Sequence, residues 1–223
     1  MPTPIESKRI LIDKWCLEEI DEGIIKAFEK VPREDFVPED VKDHAYADKP
    51  LQIGHGQTIS QPSTVIRMLT LLSPSSGNRV LEIGSGSGYV CAILSELGCE
   101  VVGVEIVPEL SVIAAKVISK LGHGDKISMH SADASGGWEE GAPYDRILVS
   151  AAFSETPSHL IDQLNPGGSL VAPVGTVEQR MLVFRKDSDG NISEEDHGAY
   201  VFVPIVGKFG DEKNRDLPDL PFV

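Results

Sequence analysis

The chain is short of cysteine, of basic residues and of long apolar runs, and each shortage closes a class of function. Its three cysteines, Cys16, Cys91 and Cys99, form no Cys-x-x-Cys pair, and no histidine lies at metal-ligand spacing from any of them. An odd count without such pairs argues against a disulfide framework or a zinc centre and for buried thiols in a reducing compartment. No stretch approaches the roughly 20 apolar residues of a membrane helix. The opening residues MPTPIESKRILIDKW lack the basic start and apolar run of a secretory signal, so a cytoplasmic protein without a membrane partner is expected. Lys and Arg number 20 against 35 Asp and Glu, a formal net charge of −15. A surface that negative repels phosphate backbones, which excludes a general nucleic-acid binder. The six histidines, His44, His55, His123, His130, His159 and His197, show no catalytic pattern, and no metal site is expected.

What is present is a folded chain with 41% hydrophobic and 25% charged residues over 223 positions. That length suits one α/β domain with an N-terminal elaboration. Residues 5–50 read as helical: Ile20, Ile24, Ala27, Phe28 and Val31 form an apolar stripe that Pro32 ends, and a shorter helix follows Pro38. From Asn78 apolar strands alternate with amphipathic segments. Strands are expected at 79–84, 101–105, 126–130, 146–151 and 169–174, with helices at 89–97, 108–121 and 157–164. Such alternation means parallel strands joined by crossover helices, a doubly wound sheet. Residues 181–186 and 199–206 read as a closing antiparallel pair around a polar turn-rich span. The expectation is a single unit over 1–223: a helical cap over 1–50, a cofactor-binding core over 51–175, and C-terminal strands with a substrate-side tail over 176–223. The last residues, GDEKNRDLPDLPFV, are expected to be irregular.

The segment VLEIGSGSGY carries the first chemistry: a buried strand delivers Glu82, then Gly84, Ser85, Gly86, Ser87 and Gly88, then a helix. Glycines serve where a backbone turns sharply against a ligand. The spacing is G-x-G-x-G, not the dinucleotide G-x-G-x-x-G, and Glu82 would repel a pyrophosphate. An acid there suits a ligand bearing positive charge on a sulfonium and an ammonium, so S-adenosylmethionine is favoured over a nicotinamide. Glu105, followed by Ile106, ends the next strand and can take two ribose hydroxyls. Asp133, beside Ala134, follows the third strand and can accept from an adenine amino group. Ligands in such sheets bind at the carboxyl edge, so the three acids can share one crevice. Singly, each is as readily a solvated acid or a helix cap.

Just upstream, GQTISQPSTVIRMLTLL runs a Thr58-Ile59-Ser60 turn through Pro62 into an apolar helix. Ser60 or Gln61 can cap that helix. Alternatively the helix N-terminus and the Ser60 hydroxyl can cradle a carboxylate.

These segments, together with KVPREDFVP (30–38), AYADKPLQIGHGQTISQP (45–62), APYDRILVSAA (142–152), LIDQLNPGGSLVAPVG (160–175) and YVFVPIVG (200–207), give the chain its resemblance to the protein-L-isoaspartate (D-aspartate) O-methyltransferases. The glycine loop and Pro166–Gly168 are common among methyltransferases; QTISQP joined to VPREDFVP is specific to this family. The resemblance implies a Rossmann-like fold that uses S-adenosylmethionine, yields S-adenosylhomocysteine, and methylates the free carboxylate of isoaspartyl residues in damaged proteins and peptides. The ester then closes spontaneously to a succinimide that reopens partly to aspartate. It implies Ser60 as the active-site residue, cofactor contacts at Glu82, Gly84, Ser85, Gly86, Ser87, Gly88, Glu105, Ile106, Asp133 and Ala134, and substrate contacts at Ile53, Gly54, Thr58, Ile59, Ser60, Val203, Pro204 and Val206. A carboxylate nucleophile is already ionised at neutral pH, so no catalytic base is required. The chain departs from the family at Ala132-Asp133-Ala134, where Gly-Asp-Gly is usual, and at Ala151-Ala152-Phe153-Ser154, where Ala-Ala-Ala-Pro is usual. Methylation of another carboxylate or a small molecule, or a cofactor-binding module without activity, stand as alternatives. The oligomeric state is left open, a monomer included.

Overall fold

The computed structural model of the chain describes residues 3–210. Most of the expected irregular tail, from residue 211 on, lies outside the described residues. Two helices open the chain, α1 (Pro4–Leu17) and α2 (Glu22–Lys30). Thr3 and Glu6 form a capping box on α1, and Asp21 caps α2 through the Gly23 and Ile24 N–H groups. Two short 3-10 turns, Arg33–Phe36 and Glu39–His44, stand where further helix was expected. Pro32 and Pro38 each precede one of them, and a proline disfavours helical backbone in the residue before it.

A hairpin follows, β1 (Leu51–Gly54) and β2 (Gln57–Ile59), which the sequence reading missed. His55 and Gly56 both take positive φ in its turn, the combination a tight two-residue hairpin needs. Helix α3 (Pro62–Leu72) then leads into the main sheet. Its parallel strands are β3 (Arg79–Ile83), β4 (Glu100–Glu105), β5 (Ile127–Ser131), β6 (Tyr144–Val149) and β7 (Leu164–Val174), with α4 (Tyr89–Glu96), α5 (Pro108–Lys120) and the four-residue α6 (Ser158–Ile161) between them. Antiparallel β8 (Gln179–Lys186) and β9 (Ile192–Tyr200) complete the order β5-β4-β3-β6-β7-β8-β9.

The last strand corrects the expectation. Residues 201–206 form no strand; they run extended past the sheet, touching it through a bridge between Ala152 and Pro204. The strand is instead Ile192–Tyr200, within the polar span read as a turn. It lies at the sheet edge, with Ile192–Asp196 all exposed, so it shows no apolar alternation. Of the apolar side chains in residues 201–206, Phe202 is buried in the core and Ile205 is buried against the crevice.

Alternate residues of each strand face two cores. Val80, Leu148, Val171 and Val183 pack with the N-terminal helices, α3, α4 and α5; Leu81, Ile147, Leu170 and Leu182 pack on the other face with α6. Strand order reverses between β3 and β6, and the parallel strands all end at the same edge. A doubly wound sheet opens a crevice at that point.

Candidate active site

A crevice opens there, lined from both sides of the sheet edge. Its floor is the end of β3, the glycine loop and the start of α4; Val104, Glu105 and Ile106 form one wall, Ala132, Ala134 and Ser135 continue it, and Ser150 and Ala151 follow β6. Gln57, Thr58, Ile59 and Ser60 close it from the hairpin side, and residues 203–206 from the other. Thus most of the expected residues meet in one place: Ser60, Thr58, Ile59, Glu82, Gly84, Ser85, Gly86, Ser87, Glu105, Ile106, Ala134, Val203, Pro204 and Val206.

The glycine loop is held as well as bent. Gly86 takes φ +51, and its N–H donates to Glu105 Oε2 at 2.8 Å; a Cβ on it would stand 3.2 Å from Ile53 Cδ1. Ile53 therefore packs on the loop and does not line the crevice. Gly54 lies at the hairpin turn, also off the wall. Gly88 takes φ +80 where a Cβ would meet Ile118 Cδ1 at 2.9 Å, so its place is set by the packing of α5. Ser85 Oγ is buried without a hydrogen-bond partner, a polar atom facing the crevice in need of a ligand.

Glu105 differs from its expected role in one respect. Each of its oxygens already accepts a backbone N–H, from Gly86 and from Val107 at 2.9 Å. A carboxylate has about four acceptor positions, so two remain for hydroxyls. Glu82 is 1% exposed and accepts from Cys91 Sγ at 2.8 Å and Ser150 Oγ at 3.1 Å. Burial raises its pKa to about 7, against the opposing effect of those two hydrogen bonds. A positive ligand beside it would favour the ionised form.

Asp133 is placed otherwise than expected, for it does not line the crevice. Its carboxylate accepts from the N–H groups of Ser135 at 2.9 Å and Lys208 at 2.7 Å. Gly207, at φ +136, lets the chain pass so close that a Cβ there would stand 2.1 Å from Asp133 Oδ1. The wall beside Asp133 is formed by Ala132, Ala134, Ser135 and Ile106. Neither alanine takes positive φ, so the exchange of glycine for alanine carries no backbone strain.

Ser60 does not cap α3. The N-cap is Gln61, without a side-chain cap bond, and the Ser60 hydroxyl makes no hydrogen bond among the described residues. The helix end is occupied from elsewhere: Asp48 accepts the Ser63 N–H at 2.9 Å and the Ser63 hydroxyl at 2.7 Å. Since Pro62 has no N–H and Asp48 already offsets the dipole, the expected anion cradle at the helix end is largely filled. Ser60 itself is the free donor.

The sequence reading missed Gln57, Tyr89, Ser135, Ser150 and Ala151 as lining residues. Ser150 and Ala151 carried a signal, since residues that follow a parallel strand fall at the crevice edge. Among the described residues, no lysine, arginine or histidine lines the crevice.

A doubly wound sheet with a G-x-G-x-G loop, an acid under the loop and another closing the next strand defines a Rossmann-like methyltransferase. Comparison narrows the class. The model of the protein-L-isoaspartate(D-aspartate) O-methyltransferase family matches residues 8–210, and the chain belongs to that family. It is 45% identical over 193 residues to a protein-L-isoaspartate O-methyltransferase of Methanococcoides burtonii, covering 85% of this chain and 95% of that one. To the enzyme of the same name from Methanopyrus kandleri it is 44% identical over 191 residues, covering 84% of each. A solved protein-L-isoaspartate O-methyltransferase superposes with a TM-score of 0.80 at 28% identity, over 91% of this chain and 67% of that chain. A Plasmodium falciparum structure described by the same activity, in complex with S-adenosyl-L-homocysteine, shares the fold with a TM-score of 0.76 at 24% identity, over 88% of this chain and 96% of that one.

Proposed function

We propose that the chain transfers a methyl group from S-adenosylmethionine to the free carboxylate of L-isoaspartyl residues in damaged proteins and peptides, and so begins their repair. The observation that carries this is the unengaged Ser60 hydroxyl on the same crevice as the glycine loop, with no lysine, arginine or histidine among the described residues that line it. A hydroxyl acceptor would need a base to take its proton, and the acids on the walls, Glu82 and Glu105, are already engaged by Cys91, Ser150 and two backbone N–H groups; a carboxylate, ionised with a pKa near 4, needs none.

The residues fit the cofactor. Glu82 lies where positive charge is welcome, Ser85 Oγ offers a donor, and Glu105 keeps acceptor capacity for hydroxyls. When bound, the cofactor supplies an electrophilic methyl on sulfur: the carboxylate oxygen–carbon bond forms as the sulfur–carbon bond breaks, and no proton moves. Ser60 donates to the carboxylate and holds it in line, while Thr58, Ile59 and the 203–206 segment exclude water. The grip must stay modest, since a strongly held anion is a weaker nucleophile.

The family and the activity by which its relatives are named support this reading, and D-aspartyl acceptance and a cytoplasmic location are proposed with it. No helix among the described residues is long and apolar enough to cross a membrane. An idle cofactor module would draw its support from the departure at Ala134, and the unstrained backbone there removes it. The test is label transfer from methyl-labelled cofactor to an isoaspartyl peptide, with the matched aspartyl peptide as control. Selective labelling of the first is expected; equal labelling of both, or of neither, overturns the proposal.

A further inference from the structure

The segment KVPREDFVP holds a charge that the chemistry above does not use. Arg33 is fully buried (0% exposed), and no carboxylate lies within ion-pair distance of it among the described residues. Burial lowers its pKa, the expected direction for a cation taken out of water. Interior charges of this kind are costly, and this one is compensated by neutral groups. Its Nε donates to the Ala45 carbonyl at 2.7 Å, and its Nη2 donates to the Ser60 carbonyl at 2.7 Å. The guanidinium carbon lies 5.0 Å from the centroid of the Tyr89 ring, whose other contact is Phe36 of the same segment, at 5.3 Å. Nη1 and the Tyr89 hydroxyl are both buried and find no other partner, and the two side chains stand close enough to interact directly.

Arg33 thus ties the cap, the acceptor turn and the first residue of the cofactor helix together, and it is the cation hydrogen-bonded to the acceptor turn. The alternative source of positive potential, the end of α3, is offset by Asp48. The acceptor carboxylate must enter a crevice that already holds Glu82 and Glu105, on a chain of net charge −15. We propose that Arg33 is the positioning residue of the acceptor site: it fixes the Ser60 turn through the Ser60 carbonyl and supplies, from behind that turn, the positive charge that makes the site select a carboxylate. In a low-dielectric interior such a charge acts at longer range than at the surface and resists screening by salt. Asp48 and the hydrogen-bonded Glu34–Tyr46 pair stand near enough to temper it.

The inference rests on the proposed methyl transfer, and its test separates the two. Two peptides are compared, one carrying isoaspartate and one in which its free carboxylate is replaced by a carboxamide. The measurements are the isoaspartyl KM and kcat, inhibition by the carboxamide peptide, and S-adenosylhomocysteine affinity. The wild type is expected to bind the carboxylate peptide at least about tenfold more tightly than the carboxamide. Arg33→Met should raise the isoaspartyl KM by about tenfold, leave carboxamide binding within about twofold, and leave cofactor affinity within about twofold; Arg33→Lys should restore part of the preference. Equal weakening of both peptides, with cofactor affinity lost as well, makes Arg33 a structural residue and overturns the proposal. So does a wild type that does not prefer the carboxylate, a result that stands even if Arg33→Met fails to fold. A wild type that methylates neither peptide overturns the proposed function itself.

Discussion

The two sides of the crevice are built by different means. The cofactor side is continuous in sequence and regular in space: strand, glycine loop, helix, then the ends of β4 and β6 brought level by the sheet register. Its polar groups hold one another, with Glu105 bonded to the loop and Glu82 to Cys91 and Ser150. The acceptor side is assembled from pieces far apart in the chain, namely Arg33, Asp48, Ser60 and residues 203–206, and the residue that carries the free Ser60 hydroxyl is held in place by neighbours that do not face the ligand. The cofactor side carries buried negative charge, and the acceptor side a buried positive one. On the proposed function, that difference assigns the recognition of each ligand's charge: a positive cofactor over acids, a negative acceptor before a cation.

The sharpest way to break this division is at its cofactor edge. Glu105→Ala removes two backbone anchors of the loop region and the expected hydroxyl acceptors together. With charge-assisted hydrogen bonds worth about 1.5–3 kcal/mol each, cofactor affinity should fall by about 100-fold or more. Calorimetry with S-adenosylhomocysteine checks it; a change below threefold would remove Glu105 from the site. On the other side, Ser60→Ala should lower kcat/KM for the isoaspartyl peptide by about 10- to 100-fold while cofactor affinity holds within twofold. Because Ser60 caps nothing, the melting temperature should stay within about 1 °C, whereas loss of a helix cap would cost about 1 kcal/mol. A stability loss with activity retained would return Ser60 to a structural role.

The same contrast explains what could be read from the sequence. The parallel strands, the loop and the acids Glu82 and Glu105 were legible because periodicity and strand ends report directly on a sheet edge. Asp133 was misplaced because nothing local shows that Gly207, 74 positions later, brings the Lys208 N–H onto its carboxylate. Asp48 was invisible as the partner of Ser63 for the same reason: it caps α3 from outside the helix. The edge strand β9 was lost because exposure removes alternation, and the apolar run 201–206 drew the assignment instead. Ser60 stood out through resemblance, and its freedom from capping appeared only in three dimensions.

A smaller effect tests the charge on the cofactor side by pH. With a pKa near 7 in the folded chain, Glu82 is partly protonated at neutral pH, and a positive ligand binds its ionised form better. Cofactor affinity should therefore fall as pH drops below about 7, and Glu82→Gln should bind more weakly and flatten the profile. The stability sign is opposite. Between 4.5 and about 7 the native chain holds a proton that the unfolded chain has lost, so Glu82 makes stability fall as pH rises through that window. Chemical denaturation across it should show a drop that Glu82→Gln reduces; parallel curves for both proteins would mean Glu82 stays ionised throughout.

The smallest expected effect bears on the acceptor side and on which positive group matters there. Asp48 accepts two hydrogen bonds at the start of α3 and lies 3.6 Å from Lys14, a partly exposed pair worth little in itself. Asp48→Ala should cost about 1 kcal/mol as a lost cap, or roughly 2–4 °C in melting temperature for a chain of this size. It also takes a negative charge away from Arg33 and frees the Ser63 N–H. If the acceptor turn selects its ligand by positive charge, the isoaspartyl KM should fall by about twofold despite the lower stability, with cofactor affinity unchanged. A rise in KM would mean that Asp48 shapes the turn more than it opposes the ligand, and the charge contrast between the two sides would then rest on Arg33 alone.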